Sequence, residues 1–325
     1  MATYKGIQGY SVQKLASDPT VADVVGQLWY NSTTGKFKVA VTGAGAWAAG
    51  ATTNETKYGR GGAGTQTAAL AFGGHDPQTA NTESYDGTTW TEVSNLGTAR
   101  YAGGSCGTQT AALFAAGTTT PQPTVSSASE EWDGTSWAEG NDVNTGRRQT
   151  GAFGIQTAAV LGCGFVATTV VGNVEEYDGT CWSEETDVST PRRNIGPFGI
   201  LTAGAIAGGR TAAPAVTGAT EEYDGTSWAA GGSLNTASYS AGGAGTQTDG
   251  LVFGRNTPTV TGLTEAYDGS TWTEVAAMGT ARYLTAGIGT GPAALSVDGQ
   301  GVSATTNLAE AWTGSPVTAK VVTVS

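Results

Sequence analysis

The hexapeptide Tyr223-Asp-Gly-Thr-Ser-Trp228 decides the fold, because close copies of it recur along the chain. The good copies end at Trp90, Trp137, Trp182, Trp228 and Trp272. A decayed sixth copy is Trp312-Thr-Gly-Ser-Pro-Val317, and successive copies end 44 to 47 residues apart. An internal repeat of this length is typical of solenoids and β-propellers.

Each repeat divides into four short segments with strand character. In the first repeat these are Arg60–Gly64, Thr67–Phe72, Thr82–Tyr85 and Thr89–Val93. The adjacent Asp-Gly between the last two segments is a strong hairpin signal. Four strands in each repeat are typical of a propeller blade. We therefore predict an all-β fold, a six-bladed β-propeller with a short N-terminal β-hairpin module.

Two residue types of the hexapeptide are assigned structural roles. The aspartates form the turn between the third and fourth strands, and each tryptophan packs between neighbouring sheets, where it buries a large apolar area. The turn aspartates are Asp86, Asp133, Asp178, Asp224 and Asp268. The packing tryptophans are Trp90, Trp137, Trp182, Trp228 and Trp272.

Two charged positions recur together with the hexapeptide. A glutamate stands two residues before each copy, at Glu83, Glu130, Glu175, Glu221, Glu265 and Glu310. Ten residues after Trp47 and after four of the five hexapeptide tryptophans stands a cation, at Lys57, Arg100, Arg147, Arg192 and Arg282, with Ser238 at this position in the remaining repeat. We expect these charges to pair and to fix the register of the repeats. A solvated pair contributes little to stability, and a buried pair pays a desolvation penalty.

The chain is predicted to contain two parts, an N-terminal anchoring module at residues 1–46 and the propeller at residues 47–325. The module is expected to be a hairpin of strand Gln27–Tyr30, turn Asn31–Gly35 and strand Lys36–Val41. Five of the six lysines precede residue 58. They indicate either a basic patch that docks an acidic partner or the protection of a hairpin edge.

The sequence leaves the closure of the propeller open. The segment around Trp47 and the segment Val317–Val324 are both candidates for the outer strand of the last blade. A seventh blade built from Gln27–Trp47 is the alternative to six.

The length differences between repeats all fall between the second and third strands. Loops on a rigid scaffold tolerate such change and are the candidate recognition surface, although they can also lack any ligand. These segments are His75–Asn81, Thr118–Ser129, Phe165–Val174, Thr211–Ala219, Asn256–Leu263 and Gly301–Leu308.

Composition argues against several classes of partner. With 15 Lys and Arg against 27 Asp and Glu, the net charge is −12, which disfavours nucleic acids and anionic membrane surfaces. No apolar run approaches the ~18 residues of a membrane span. The absence of a charged-then-apolar leader predicts synthesis in a cytoplasm rather than secretion.

The sequence predicts no catalytic residue, no cofactor and no metal site. The three cysteines, Cys106, Cys163 and Cys181, form no disulfide or zinc pattern and are expected to be small buried apolar residues. The one histidine, His75, lies in a variable segment and is expected to be exposed. Metal ligation would need more imidazoles or clustered thiols.

The repeat resembles the kelch family from about Thr56 to Ser325, most closely at Ala69–Gly74, Tyr85 and Trp90. A closer resemblance is to kelch-like virion proteins of tailed, especially marine, bacteriophages. It is carried by the module Gly26–Val39 and by repeats such as Glu221–Trp228.

The phage resemblance implies a structural subunit of the virion: a fibre, spike or decoration protein of the head or tail that forms homo-oligomers. Residues 1–46 would contact other virion proteins, and the variable segments would contact a host-surface glycan or protein. A lectin-like adhesive propeller is the alternative. A glycoside hydrolase with paired carboxylates is the third.

Overall fold

The computed structural model describes residues 12–19, 27–42, 44–121, 124–211, 215–314 and 317–321. Over these residues the fold is all-β and contains no helix. The chain divides into two compact units. One unit is Ala46–Thr313, and the other combines Met1–Gly45 with Gly314–Ser325.

The smaller unit contains a sheet whose first strands are β1 (Gln13–Leu15), β2 (Leu28–Asn31) and β3 (Lys36–Thr42). β1 pairs parallel with β2, and β2 pairs antiparallel with β3, which forms the predicted hairpin. The Asn31 side chain accepts two backbone N–H groups of the intervening turn. Such side-chain bonds are the reason that Asn favours turns.

The larger unit begins with β4 (Ala46–Ala49) and continues with six sheets, numbered here in chain order. Sheet 1 comprises β5 (Gly61–Thr65), β6 (Ala68–Phe72), β7 (Thr82–Tyr85) and β8 (Trp90–Val93). Sheet 2 comprises β9 (Gly104–Thr108), β10 (Ala111–Ala115), β13 (Ser129–Trp132) and β14 (Trp137–Glu139). A small hairpin of β11 (Thr118–Thr119) and β12 (Thr124–Val125) precedes β13.

The remaining sheets repeat this order. Sheet 3 comprises β15 (Gly151–Ile155), β16 (Ala158–Val166), β17 (Thr169–Tyr177) and β18 (Trp182–Glu185). Sheet 4 comprises β19 (Gly196–Ile200), β20 (Ala203–Ala207), β21 (Thr220–Tyr223) and β22 (Trp228–Ala230). Sheet 5 comprises β23 (Gly242–Thr246), β24 (Asp249–Asn256), β25 (Val260–Tyr267) and β26 (Trp272–Val275). Sheet 6 comprises β27 (Arg282–Tyr283), β28 (Ala286–Thr290), β29 (Ala293–Gly301) and β30 (Thr305–Thr313), with β4 as its outer strand.

Sheets 1 to 5 are antiparallel, and each strand pairs with the next strand of its own sheet. The two aromatic ends of each hexapeptide face each other across the Asp-Gly turn, as in the pairs Tyr85 with Trp90 and Tyr223 with Trp228. Their ring centroids lie 4.7 and 4.8 Å apart. Facing aromatic pairs stabilise a sheet beyond the area that they bury.

Three of the predicted variable loops are largely strand. In sheet 3, β16 and β17 remain paired to Val166 and Thr169, so that Phe165–Val174 is mostly an extension of the sheet. Asn256–Leu263 and Gly301–Leu308 are likewise short turns flanked by strand. These segments are rich in Val and Thr, whose branched side chains favour extended backbone.

The core lies between successive sheets. Phe72 of sheet 1, for example, packs with Phe114 and Trp137 of sheet 2. Equivalent clusters join sheets 2 and 3, 3 and 4, 4 and 5, and 5 and 6. A sixth cluster brings Trp90 of sheet 1 against Leu295 of sheet 6, so each sheet has an apolar interface on both faces.

Six backbone hydrogen bonds also join the sheets one to the next. The N–H of Ala102 donates to the oxygen of Gly59, and the same bond recurs at the equivalent residue of every later sheet. The last of them runs from the N–H of Gly59 to Leu284, with an N–O distance of 2.9 Å. The strands β5, β9, β15, β19, β23 and β28, which we call the first strands because β27 is only a two-residue segment ahead of β28, contact one another in the same order, and β28 contacts β5.

The ends of the chain depart from the predicted boundary. Ala46–Ala49 pairs with β30 and fills the outer position of sheet 6, which decides between the two candidate segments. β31 (Val317–Val321) pairs instead with β3 in the smaller unit, so the predicted range 47–325 is wrong at its C-terminal end. The physical reason is that the copy beginning at Trp312 lacks the aspartate that forms the turn into a fourth strand.

Candidate functional site

Four of the predicted ion pairs are brought together and buried within their own sheets. The pairs, with their N–O distances, are Arg100–Glu130 at 3.1 Å, Arg147–Glu175 at 2.5 Å, Arg192–Glu221 at 2.8 Å and Arg282–Glu310 at 2.5 Å. The arginine side chains have no exposed surface, so the pairs are not the solvated alternative.

In the other two sheets the repeat glutamate pairs with an arginine other than the predicted cation. In sheet 1 the structure does not pair Lys57 with Glu83, and Arg60 lies 2.8 Å from Glu83 instead. Lys57 lies 3.5 Å from Glu55. In sheet 5, where Ser238 breaks the pattern, Arg255 reaches Glu265 from the second strand at 2.7 Å. Every repeat glutamate thus faces a guanidinium, whose fork of N–H groups matches a carboxylate better than an ammonium does.

The second oxygen of each repeat glutamate binds the backbone that leads into its sheet. Glu175 Oε2 accepts the N–H of Asn144 at 2.6 Å, and Glu130 Oε2 accepts that of Gly97 at 2.6 Å. The same bond is made in the other four sheets. Because both oxygens are engaged inside the protein, these carboxylates are positioned to hold the sheets in register rather than to act on a substrate.

The turn aspartates lie on the surface and bind their own turns. Oδ1 of Asp133 accepts the backbone N–H groups of Thr135 and Ser136, both at 2.8 Å. The other four turn aspartates make the same bonds. The backbone N–H of Ser136 and the hydroxyl and N–H of Thr135 lower the pKa of Asp133 to about 2. This is the effect of hydrogen bonds that favour the charged carboxylate.

The repeat tryptophans join each sheet to the preceding one. The indole N–H of Trp137 donates to Thr82 of sheet 1, and that of Trp272 donates to Thr220 of sheet 4. Trp90 and Trp228 donate to the carbonyl oxygens of Ala51 and Thr186, which follow the outer strands of sheets 6 and 3. Trp182 packs between sheets 2 and 3 but has no partner for its indole N–H among the described residues.

A further set of bonds between sheets is made by glutamines whose role the sequence did not reveal. The Gln109 amide donates to the carbonyl oxygen of Tyr85 in the preceding sheet, and Gln156 donates to those of Ala112 and Trp132. Gln66 and Gln247 make equivalent bonds. The sequence feature that could have identified these glutamines is the recurring Gly-Thr-Gln-Thr-like tetrapeptide in which they stand.

A cavity of about 200 Å³ is lined by the first strands of all six sheets. Small residues, such as Gly62, Ser105 and Gly243, stand at its wall. At the end where these strands begin, it is bordered by the residues that make the six backbone bonds between sheets, among them Gly59 and Leu284. This end carries the residues that we consider the candidate site.

Six half-buried residues directly precede the border of the cavity, and we call them the mouth residues. They are Tyr58, Tyr101, Arg148, Arg193, Tyr239 and Tyr283. Each forms a β-bridge with a residue at the end of the second strand of its own sheet or up to three residues beyond it, at His75, Thr118, Phe165, Arg210, Asn256 and Gln300. The signal that could have found them is their position immediately after the predicted repeat cation.

The aromatic half of the mouth consists of the mouth residues Tyr58, Tyr101, Tyr239 and Tyr283 with the bridge partner His75. His75 packs between Tyr58 and Tyr101, with ring-centroid distances of 5.1 and 4.7 Å, so the expectation of an exposed histidine is wrong. The reason is the β-bridge that draws His75 onto Tyr58. Burial, and then the neighbouring Tyr101, raise the pKa of Tyr58. Within the described residues, the hydroxyls of Tyr58, Tyr101, Tyr239 and Tyr283 make no hydrogen bond.

The cationic half of the mouth consists of the mouth residues Arg148 and Arg193 with the bridge partner Arg210. The guanidinium groups of Arg148 and Arg193 lie 5.2 and 4.2 Å from the ring centroid of Phe165. That of Arg210 lies 4.7 Å from the ring centroid of Tyr239. Burial, then Arg210 and Arg148, lower the pKa of Arg193, as expected where like charges cluster.

The cysteines and possible metal ligands define no further site. Cys106 and Cys163 are buried as expected, and burial raises their thiol pKa values to about 12 and about 11. Cys181 is exposed, because it lies in the Asp-Gly turn of its hexapeptide, and this corrects the expectation for the third cysteine. The described part of the chain contains no group of three His, Cys, Asp or Glu suited to a metal ion.

No protein-family model matches the chain, and no curated protein matches it significantly. In the part of the chain that the structure describes, no helix has the length and apolar character needed to cross a membrane.

Proposed function

We propose that the six sheets form a closed six-bladed β-propeller of the kelch-like type. The six apolar interfaces and the six backbone bonds, including those that join sheet 6 to sheet 1, support this architecture. A propeller buries the faces of its sheets against one another and leaves only short, protected edges. Its axis would follow the cavity that all six first strands line.

We further propose that the protein is a non-catalytic structural subunit of a tailed-phage virion that binds its target through the mouth residues. The observation that carries the binding role is the concentration of half-buried tyrosines and arginines around one end of the cavity. Tyr and Arg are enriched where proteins bind other molecules, because each combines a large contact surface with a polar group. The repeat carboxylates, in contrast, are engaged within the sheets.

In this proposal the smaller unit attaches the propeller to other virion proteins and supports a homo-oligomer. It is a separate compact unit, and it holds cations such as Lys36, which is exposed, whereas the whole chain is acidic. Charge of this kind favours an acidic partner surface.

A lectin-like role outside any virion is the second candidate. It is favoured by the four tyrosine hydroxyls, which are available to hydrogen-bond a sugar. Both candidates use the same surface, so they differ in location rather than in chemistry.

Two measurements test the proposal. Mass spectrometry of purified phage particles should find the chain in a fixed ratio to the other virion proteins, and its absence from intact particles would exclude the virion role. Particles that carry Tyr58→Ala with Tyr101→Ala should assemble normally but adsorb more slowly to host cells. Particles that carry Lys36→Gln should adsorb as the wild type does. Normal adsorption of the double variant would exclude the mouth residues as the binding surface.

A further inference from the structure

The three arginines of the cationic half differ from every other arginine in the chain. The other six, Arg60, Arg100, Arg147, Arg192, Arg255 and Arg282, each lie within about 3.1 Å of a glutamate oxygen. Arg148, Arg193 and Arg210 have no carboxylate within hydrogen-bonding distance among the described residues. The chain has 27 acidic residues for 15 basic ones, so this lack of partners is not a shortage of carboxylates.

The three side chains are held in place by contacts that do not neutralise them. Phe165 supports two guanidinium groups and Tyr239 supports the third. Gln149 orients Arg193 by accepting a hydrogen bond of 2.6 Å. Cation–π contacts of this kind favour the charged group over the aromatic face and leave its N–H groups free.

The terminal nitrogens of Arg148 and Arg210 and Nη2 of Arg193 make no hydrogen bond among the described residues and retain some accessible surface, whereas Nη1 of Arg193 is bonded to Gln149. The Nε atoms of all three arginines are buried and lack a partner. Three clustered positive charges repel one another, and a bound anion removes that repulsion. Paired N–H donors of guanidinium groups match the two oxygens of a carboxylate.

The aromatic half lies beside this cluster and continues it. Tyr239 contacts Arg210, and Tyr58 packs edge to face on Tyr101. Burial, and then the neighbouring Tyr239, raise the pKa of Tyr283. Aromatic faces pack on the C–H groups of a sugar ring, and free tyrosine hydroxyls bond its hydroxyls. A ligand that satisfies both halves carries an anionic group at one end and a hydroxylated ring at the other.

We infer that Arg148, Arg193 and Arg210 bind the carboxylate of an acidic sugar whose ring packs on the neighbouring tyrosines. The inference rests on the proposed binding role of the mouth residues and names the ligand class. A nucleic acid is disfavoured as the source of the anion, because a chain of net charge −12 repels a dense polyanion. A single acidic sugar carries one negative charge, beside a ring that can pack on an aromatic face.

The test compares two sugars that differ in one group. The full chain is titrated with methyl glucuronide and with neutral methyl glucoside, and binding is followed by nuclear magnetic resonance. The methyl glycoside of N-acetylneuraminic acid serves as a second acidic sugar with a different ring. At least one acidic sugar should bind at least about tenfold more tightly than the glucoside, and its affinity should fall as salt is added.

Matched variants assign the binding to the cluster. Arg193→Gln and Arg210→Gln should each weaken the acidic sugar at least about tenfold, while the glucoside is unaffected. Lys36→Gln, which removes the same charge from an exposed residue of the smaller unit, should leave binding unchanged. Unchanged thermal unfolding of the arginine variants shows that they remain folded.

Three results would overturn the inference. These are failure of both acidic sugars to bind, retention of their binding in both arginine variants, and equally strong binding of plain acetate. If host adsorption still depends on the mouth residues in any of these cases, the proposed binding role stands and only the ligand class is wrong.

Discussion

Glu175→Gln is expected to destabilise the larger unit strongly, although it changes neither the size nor the shape of the side chain. Glu175 Oε1 lies 2.5 Å from Arg147 Nη1, and neither side chain has exposed surface. Glu175 Oε2 accepts the backbone N–H of Asn144 at 2.6 Å. A glutamine keeps one acceptor oxygen but turns an NH₂ donor toward one of these two donors.

The magnitude follows from the charge that remains. Removing one partner of a buried ion pair leaves the other charge uncompensated and costs about 3–5 kcal/mol. For a unit of this size, 1 kcal/mol corresponds to a shift of about 2–4 °C, so the apparent Tm should fall by roughly 6–20 °C. Arg147 keeps its hydrogen bond of 3.1 Å to the Leu161 oxygen, which places the expected loss toward the lower end.

Urea unfolding followed by tryptophan fluorescence measures this change. Glu184→Gln is the matched control, since Glu184 lies opposite Glu175 in the sheet but is exposed, and it should change stability by less than about 0.5 kcal/mol. The double variant Arg147→Met with Glu175→Leu removes both charges and should recover most of the loss. A loss below about 1 kcal/mol for Glu175→Gln, typical of a solvated pair, would refute the reasoning.

Three further predictions concern the turns and the remaining buried acid. Gly154→Ala places a Cβ 2.3 Å from the Ala158 oxygen at a φ of +113°, and should lower unfolding stability by at least about 1 kcal/mol more than Gly162→Ala, whose nearest atom lies 3.8 Å away. Burial raises the pKa of Asp298 to about 6, so the native state holds its proton more tightly than the unfolded chain does. Relative to Asp298→Asn, the wild type should therefore lose up to about 3 kcal/mol as the pH rises from about 4 to 7, and a constant difference across that range contradicts this. Backbone N–H groups and hydroxyls of its turn lower the pKa of Asp224 to about 2, and a carboxyl titration by nuclear magnetic resonance with a midpoint near the ordinary value of about 4 would disprove it.

Local features of the repeat were predictable because their causes lie within a few residues. The hexapeptide ending at Trp228 contains both the turn aspartate and the two aromatics that face each other, so its hairpin follows from the residues alone. The strands of sheet 1 lie within one residue of the predicted segments for the same reason. The all-β arrangement, consistent with a β-propeller, follows from repeating that unit.

Pairings between charged residues were predictable only in part. The recurring Glu and Arg positions identified partners such as Arg147 and Glu175, because the register of one sheet repeats in the next. The exceptions depend on which side chains the folded structure brings within bonding distance of the glutamate. Arg60 displaces Lys57 because it also lies 3.0 Å from Asp298, which is 238 residues away in the sequence.

The sequence by itself determined the repeat, its four strands, its turns and the glutamates that hold them, since each is encoded within a single copy. Only the tertiary structure decided that Ala46–Ala49 completes sheet 6 and that Arg148, Arg193 and Arg210 meet around Phe165 and Tyr239. Residues of different copies are brought together by the packing of sheet against sheet, and no pattern within one copy records which side chains will then share a surface.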